Sequence, residues 1–170
     1  MTNFVPDIED DYEPEPFRDW QQCDIVEFSL GYYPDENTAV IMSVMLVPGA
    51  SYIKVPNVRV YDLKFGIRTR DMEHEWKVGE PDFSHESVER YIAREDRIRV
   101  MECVLRAIEA LISFTGPEHV TMVTAEKGLP EKALLKYVKI CKVLNRLNFA
   151  TLEQYQGESG SHYWYFKKAD

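Results

Sequence analysis

The chain is short of the residues that mark several functional classes. Its three cysteines, Cys23, Cys103 and Cys141, lie far apart and form no C-x-x-C pair. A zinc site needs thiolates or imidazoles at close spacing, so no metal centre is expected. Cys103 and Cys141 fall on apolar helix faces, where a thiol behaves as a small buried hydrophobe. Positive charge is scarce too: 20 Lys and Arg stand against 29 Asp and Glu, a net charge of −9. Nucleic-acid binding needs clustered basic side chains to displace phosphate counterions, which disfavours a direct nucleic-acid partner. Long apolar runs are missing. "AVIMSVMLV" (Ala39–Val47) carries Ser43 inside it and falls far short of the roughly 20 residues that cross a bilayer. No basic, apolar leader opens the chain, so the expected location is the cytoplasm, with no membrane partner. Glycine is absent from the loop that precedes the longest helix.

What is present is unevenly placed. Residues 1–19 hold seven acids against Arg18, which is −6 of the total −9. "MTNFVPDIEDDYEPEPFRDW" also has three prolines and four aromatics and keeps no helical or strand period. It reads as an extended arm over residues 1–20, ahead of a single α+β domain over 21–170. One reading is a solvated tail. The sharper one is a docking segment for a basic protein. In it Asp7, Glu9, Asp10, Asp11, Glu13 and Glu15 steer the partner, while aromatics such as Tyr12 and Phe17 anchor it.

Residues 24–79 read as a strand series. "CDIVEFSLGYY" alternates Ile25, Glu27, Ser29 against Val26, Phe28, Leu30. "PDEN" supplies a turn, and "TAVIMSVMLVP" suits a central strand covered on both faces. "GASYIKVPN" and "VRVYDLKFGIR" continue the meander, and "HEWKVGEPDF" is a short strand or loop. "SHESVERYIARED" begins like a helix, with Ser84 placed as its N-cap. The main helix spans about Arg97 to Phe114, with Val100, Cys103, Val104, Ala107, Ile108, Leu111 and Ile112 on one face. "HVTMVTA" is a short strand, expected to run parallel because helices flank it. A second helix follows Pro130, with Leu134, Val138, Cys141 and Leu144 facing inward. "FATLEQYQG" and "SHYWYFKK" close the chain as a hairpin. The expected class is α+β: a mixed, largely antiparallel sheet with two main helices.

Ahead of the main helix, Arg94, Arg97 and Arg99 stand at the spacing R-x-x-R-x-R. This spacing, with the β-α-β-α-β-β order of Ile92–Lys167, resembles the GNAT N-acyltransferase superfamily. In that family a (Gln/Arg)-x-x-Gly-x-(Gly/Ala) loop holds the acyl-CoA pyrophosphate at a helix N-terminus. The resemblance implies acyl-CoA as cofactor, with Arg94, Arg97 and Arg99 as its binding residues. Here both glycine positions are arginine, which obstructs close approach of the main chain to phosphate. The family's A-x-x-x-Y-x-x-x-G-F pattern aligns with "ICKVLNRLNF". Phe149 matches, Asn148 replaces glycine, and Leu144 stands where a tyrosine would protonate the leaving thiolate. No catalytic residue carries over. The leading expectation is therefore a non-catalytic binding or regulatory protein that engages a basic partner through its acidic arm and surface. The alternative is an acyl-CoA-dependent N-acyltransferase with an atypical loop.

Three further patterns stand in the sequence. His85-Glu-Ser87 and His119-Val-Thr121 each fit the H-x-(Ser/Thr) pattern of 2H phosphoesterases, which requires both imidazoles in one cleft. Glu73, His74 and Glu75 in "MEHEW" point to alternate faces of a strand and suit a solvated turn better than a metal. "HYWYFKK" puts aromatics on both faces of one strand, one for the core and the other for a cleft or partner.

Overall fold

The computed structural model describes residues 3–82, 84–124 and 127–170. Phe83 and Ala125, the last residues of two expected segments, lie outside them. Two short strands, β1 (Val5–Pro6) and β2 (Phe17–Arg18), precede three long ones, β3 (Asp24–Tyr33), β4 (Thr38–Pro48) and β5 (Val60–Asp71). The long strands form an antiparallel meander, with Val26 opposite Val44 and Val44 opposite Phe65. The β3–β4 turn uses Pro34 in a 3-10 turn and Asn37 in the left-handed region at φ 48°, a conformation that asparagine tolerates.

The second half runs β-α-α-β-α-β-β, one helix more than the expected β-α-β-α-β-β order. β5 is followed by α1 (His85–Tyr91), α2 (Arg97–Thr115), β6 (His119–Val123), α3 (Glu131–Arg146), β7 (Phe149–Gln156) and β8 (His162–Lys168). Among the described residues the sheet has eight strands in the order β1-β3-β4-β5-β6-β8-β7, with β2 also on β3. Only β5 and β6 pair in parallel, as expected for "HVTMV". The fold is α+β with a mixed, mostly antiparallel sheet.

Helices α2 and α3 pack on the face that carries Val26, Met42, Val44, Leu63, Val120 and Phe166. All seven residues expected on the inner face of α2 are buried, and the five valine, isoleucine and leucine side chains among them are each worth roughly 1.5–3 kcal/mol against exposure. Gly116 ends the helix at φ 62°, its N–H bonding Ile112 O. Ser84 caps α1 by accepting the Ser87 N–H. The helix-free face is a mixed surface. Cys23, Ile25 and Met45 form a small second cluster, and Arg70 reaches Glu27 at 2.7 Å. No helix is long and apolar enough to cross a membrane among the described residues.

Three expectations change. Residues 49–59 form a loop with one isolated bridge, Val55 to Val58, rather than a strand. Residues 74–82, expected as a short strand or loop, are a loop that turns back along β5, with bridges from Val78 to Arg70 and from Asp82 to Ile67. Helix α1 forms after Ser84 as expected, so the strand that the resemblance implies ahead of Arg94 is replaced by a helix. On α3 the buried face is Tyr137, Ile140, Val143 and Leu144. Val138 faces solvent, and Leu134 and Cys141 flank the core. Both sets recur at helical spacing, so periodicity alone does not choose between them. The broad Tyr137 ring, stacked 5.2 Å from Trp164, turns the helix to its observed face.

Candidate functional site

The acidic arm meets one of the three expected arginines, Arg99. The arm antiparallels β3 at both of its ends: Val5 lies opposite Tyr32, and Phe17 opposite Ile25. Between these anchors, residues 8–16 bulge toward α2. Tyr12 is buried in the main core, 5.0 Å from the Phe28 ring. Phe4 packs on Tyr33 and Tyr91. Arg18 bonds the buried Asp24 at 2.7 and 3.0 Å, and Thr115 donates to the same carboxylate at 2.7 Å. Burial raises the Asp24 pKa, but these hydrogen bonds and the Arg18 charge outweigh it and hold the carboxyl below its ordinary 3.8.

Arg99 belongs to the arm's site. Its guanidinium lies 2.9 Å from Asp10 and also bonds the Ile8 carbonyl. Arg94 is exposed in the 3-10 turn, and Arg97 is half-buried in the first turn of α2. Glu95 and Asp96 occupy the helix start, where the dipole favours negative charge, so the protein supplies its own anions there. The chain arrives from α1 through this turn, and the Asp96 N–H is spent on Ala93 O. Of the three arginines expected to share a phosphate, one is committed to the arm.

The arm residues are thus divided. Tyr12 is a core residue and Asp10 an ion-pair partner. Asp7, Glu9, Asp11, Glu13, Glu15 and Phe17 are exposed. A cleft of about 390 Å³ opens where the bulged arm leaves β3, and Glu9, Asp11, Glu13, Glu15 and Glu27 line it. Glu27 is held by Arg70 and by Ser43 at 3.3 Å. Among the described residues the four arm acids have no cationic partner.

A second cleft, about 230 Å³, opens where β5 and β6 pair over three residues and then separate. Asp62, Lys64, Thr124 and Tyr137 line it. Asp62 is buried, with the Thr121 hydroxyl at 3.0 Å and Lys64 at 3.6 Å. Burial pushes its carboxyl above 3.8 despite Lys64 and Thr121. Sequence reasoning missed this carboxylate and Tyr137. An aspartate inside the apolar alternation "VRVYDLKF" was the available signal. Leu144, at the aligned tyrosine position, is fully buried. Asn148 does adopt the left-handed conformation, at φ 67°.

The histidine pair does not form a site. His119 is buried beside Val60 and bonds Tyr165 at 2.7 Å. His85 follows the return strand at the Ile67 end of β5. Seven residues along a strand is about 23 Å, so the imidazoles face no common cleft. His74 sits in an exposed turn beside Asp71 at 3.3 Å. Among the described residues no group of His, Cys, Asp and Glu is placed to hold a metal.

Comparison of this chain with family models, with curated proteins and with solved structures finds no match.

Proposed function

We propose that the protein is a non-catalytic, regulatory binding protein of the cytoplasm that engages a basic protein partner through its acidic arm. The observation that carries this reading is the way the arm is held. β1, β2, Tyr12 and the Asp10–Arg99 pair fix its course, so Asp7, Glu9, Asp11, Glu13 and Glu15 form a fixed acidic display. A pre-ordered display loses less conformational entropy on binding than a free tail does, and its field steers a basic surface. The scaffold proposed is a degenerate GNAT-like one; the alternation of strands and helices over residues 60–168 supports it, with α1 added to that family's order.

The arm cannot simply be deleted to test this, because Tyr12 and two strand pairings would go with it. The clean experiment replaces the five exposed acids by their amides in the full chain. The immobilised native protein should retain basic proteins from the native cell extract and release them as salt rises. The amide variant, with an unchanged circular dichroism spectrum, should retain none. Equal retention by the two proteins rejects the reading.

The second reading, an acyl-CoA-dependent N-acyltransferase, is favoured by the β5–β6 cleft. A buried carboxyl with a raised pKa in the wall of that cleft is a general acid/base in kind. Arg94, Arg97 and Arg99 would then bind the pyrophosphate, with Arg99 first leaving Asp10. This reading requires coenzyme A binding measurable by calorimetry and weakened by Arg97→Ala or Arg99→Ala. No heat at millimolar coenzyme A removes it.

A further inference from the structure

We propose that the outer face of α3 is docked by the acidic arm of a second copy of this chain, in a two-fold dimer. This rests on the acidic-arm reading and names the basic partner as the protein itself. Two observations carry it. The first is an unpartnered helix face. Helix α3 holds five bases, Lys132, Lys136, Lys139, Lys142 and Arg146, against the single acid Glu131, a net of +4 within a chain of net −9. Lys132, Lys139 and Lys142 are exposed and form no ion pair among the described residues, whereas Arg146 is held by Glu109 of α2. Leu135 and Val138, neighbours on one face of the helix, stand among these lysines and are 60% and 45% exposed. The second observation is a complementary surface on the same layer. The arm lies on one flank of α2, with Asp10 on Arg99, and α3 lies on the other, with Arg146 on Glu109. One groove of about 320 Å³ joins the flanks, lined by Asp10 and Arg99 at the arm and by Val143 and Arg146 at α3.

This arrangement selects the occupant. A two-fold axis running along α2, in the plane of contact, exchanges the two flanks. Each arm then lies on the α3 of the other copy, its exposed acids against the exposed lysines. Helix α2 meets α2 along the stripe of Ile98, Met101 and Leu105, of which Ile98 is 70% exposed. The two arm contacts are identical, as an isologous interface requires. A uniformly anionic occupant, such as a lipid surface, suits this face less well. Laid on it, such a surface would meet the arm carboxylates beside the lysines, in the field of a chain of net −9. A second copy meets each sign with its opposite.

The test is sedimentation equilibrium of the full chain and of charge-swapped variants with unchanged circular dichroism spectra. At low salt the native chain should be a monomer at about 10 µM and a dimer, and nothing larger, at about 500 µM, as expected for a small polar interface. Salt at about 0.5 M should return it to monomer. Asp11→Lys with Glu13→Lys reverses the arm, and Lys139→Glu with Lys142→Glu reverses α3. Each pair should weaken dimerisation by about tenfold or more, because like charges then face each other. An equimolar mixture of the two variants should dimerise again. In the mixed dimer the reversed arm meets the reversed helix, and the native arm meets the native helix. Glu73→Lys with Glu75→Lys makes the same change of net charge in the exposed turn after β5, and should alter association less than about twofold.

A native chain that stays monomeric at about 500 µM in low salt would overturn the dimer, while the extract experiment would still judge the acidic arm. Association that survives both swaps, or that both swaps abolish without recovery in the mixture, would overturn the contact of arm with α3. Species larger than a dimer would overturn the two-fold arrangement, since head-to-tail docking need not close. A monomer that binds phosphatidylserine vesicles through Lys139 and Lys142 would overturn the second copy and give this face to a lipid surface.

Discussion

Asp10 of the acidic arm lies 2.9 Å from Arg99 in the first turn of α2. The arginine that fits the spacing of a phosphate loop therefore neutralises the chain's own carboxylate, and its second nitrogen bonds the Ile8 carbonyl. Both side chains are partly solvated, so the pair contributes modestly and weakens with salt. Arg99→Ala should lower global stability by about 1 kcal/mol. Its larger effect should be local: amides of residues 8–12 should exchange faster with solvent, while those of α2 beyond its first turn stay protected. Unchanged exchange at 8–12 would mean that the arm is held without Arg99.

Tyr12 separates packing from hydrogen bonding. Its ring sits on Phe28 in the main core, yet its hydroxyl is unpaired. Burial pushes its pKa up, and the nearby Cys103, Glu15 and Glu9 add to this against Arg106. Tyr12→Phe removes the unpaired oxygen and should stabilise the free protein by about 1 kcal/mol in urea unfolding. Tyr12→Ala removes the ring and should cost about 3–5 kcal/mol. A destabilising Tyr12→Phe would show that the hydroxyl has a partner in solution.

Asp24 and Asp62 should respond to pH in opposite senses. Asp24 has its pKa held below 3.8, so its hydrogen bonds stabilise the fold above that value and are lost as pH falls through the folded pKa. Asp24→Asn should therefore cost most near neutral pH, about 1–2 kcal/mol, since the Arg18 it leaves behind is solvated, and progressively less in acid. Asp62 has its pKa raised, so the fold prefers its protonated form and ionisation costs stability as pH rises above 3.8. Asp62→Asn keeps an acceptor for Thr121 and should gain on the native protein as pH rises from 3 to 7. Parallel pH profiles for both variants and the native protein would refute these assignments.

The legible parts of the fold were those that local chemistry decides. Ser84 caps a helix because its hydroxyl accepts the Ser87 N–H. Val100 to Ile112 bury because one stripe of α2 is apolar and the other charged. "HVTMV" is parallel because a helix brings the chain back beside β5. The candidate site was less legible, because long-range pairs build it. Nothing near Arg99 in sequence names Asp10, 89 residues earlier, as its partner. The acidity of the arm was plain from composition. That Tyr12 is core and Glu13 is displayed depends on where the arm crosses β3. Asp62 went unnoticed because one polar residue in a strand gives no sign of the cleft formed when β5 and β6 part.

Helix α3 shows how a clear period can choose the wrong face, and it offers a direct check. Leu134, Val138 and Cys141 recur at helical spacing, and so do Tyr137, Ile140 and Leu144. The first set is apolar enough to be buried, but Val138 is 45% exposed and Ile140 is fully buried. Tyr137 is what separates them, since its ring reaches both Phe65 and Trp164 in the sheet. Ile140→Ala should then open a cavity and cost about 2–5 kcal/mol. Val138→Ala removes a similar hydrophobe from a solvated position and should change stability by less than about 0.5 kcal/mol. Chemical denaturation of the two variants beside the native protein decides the matter. Equal costs would place both residues at the core boundary and would move Tyr137 out of the β5–β6 cleft.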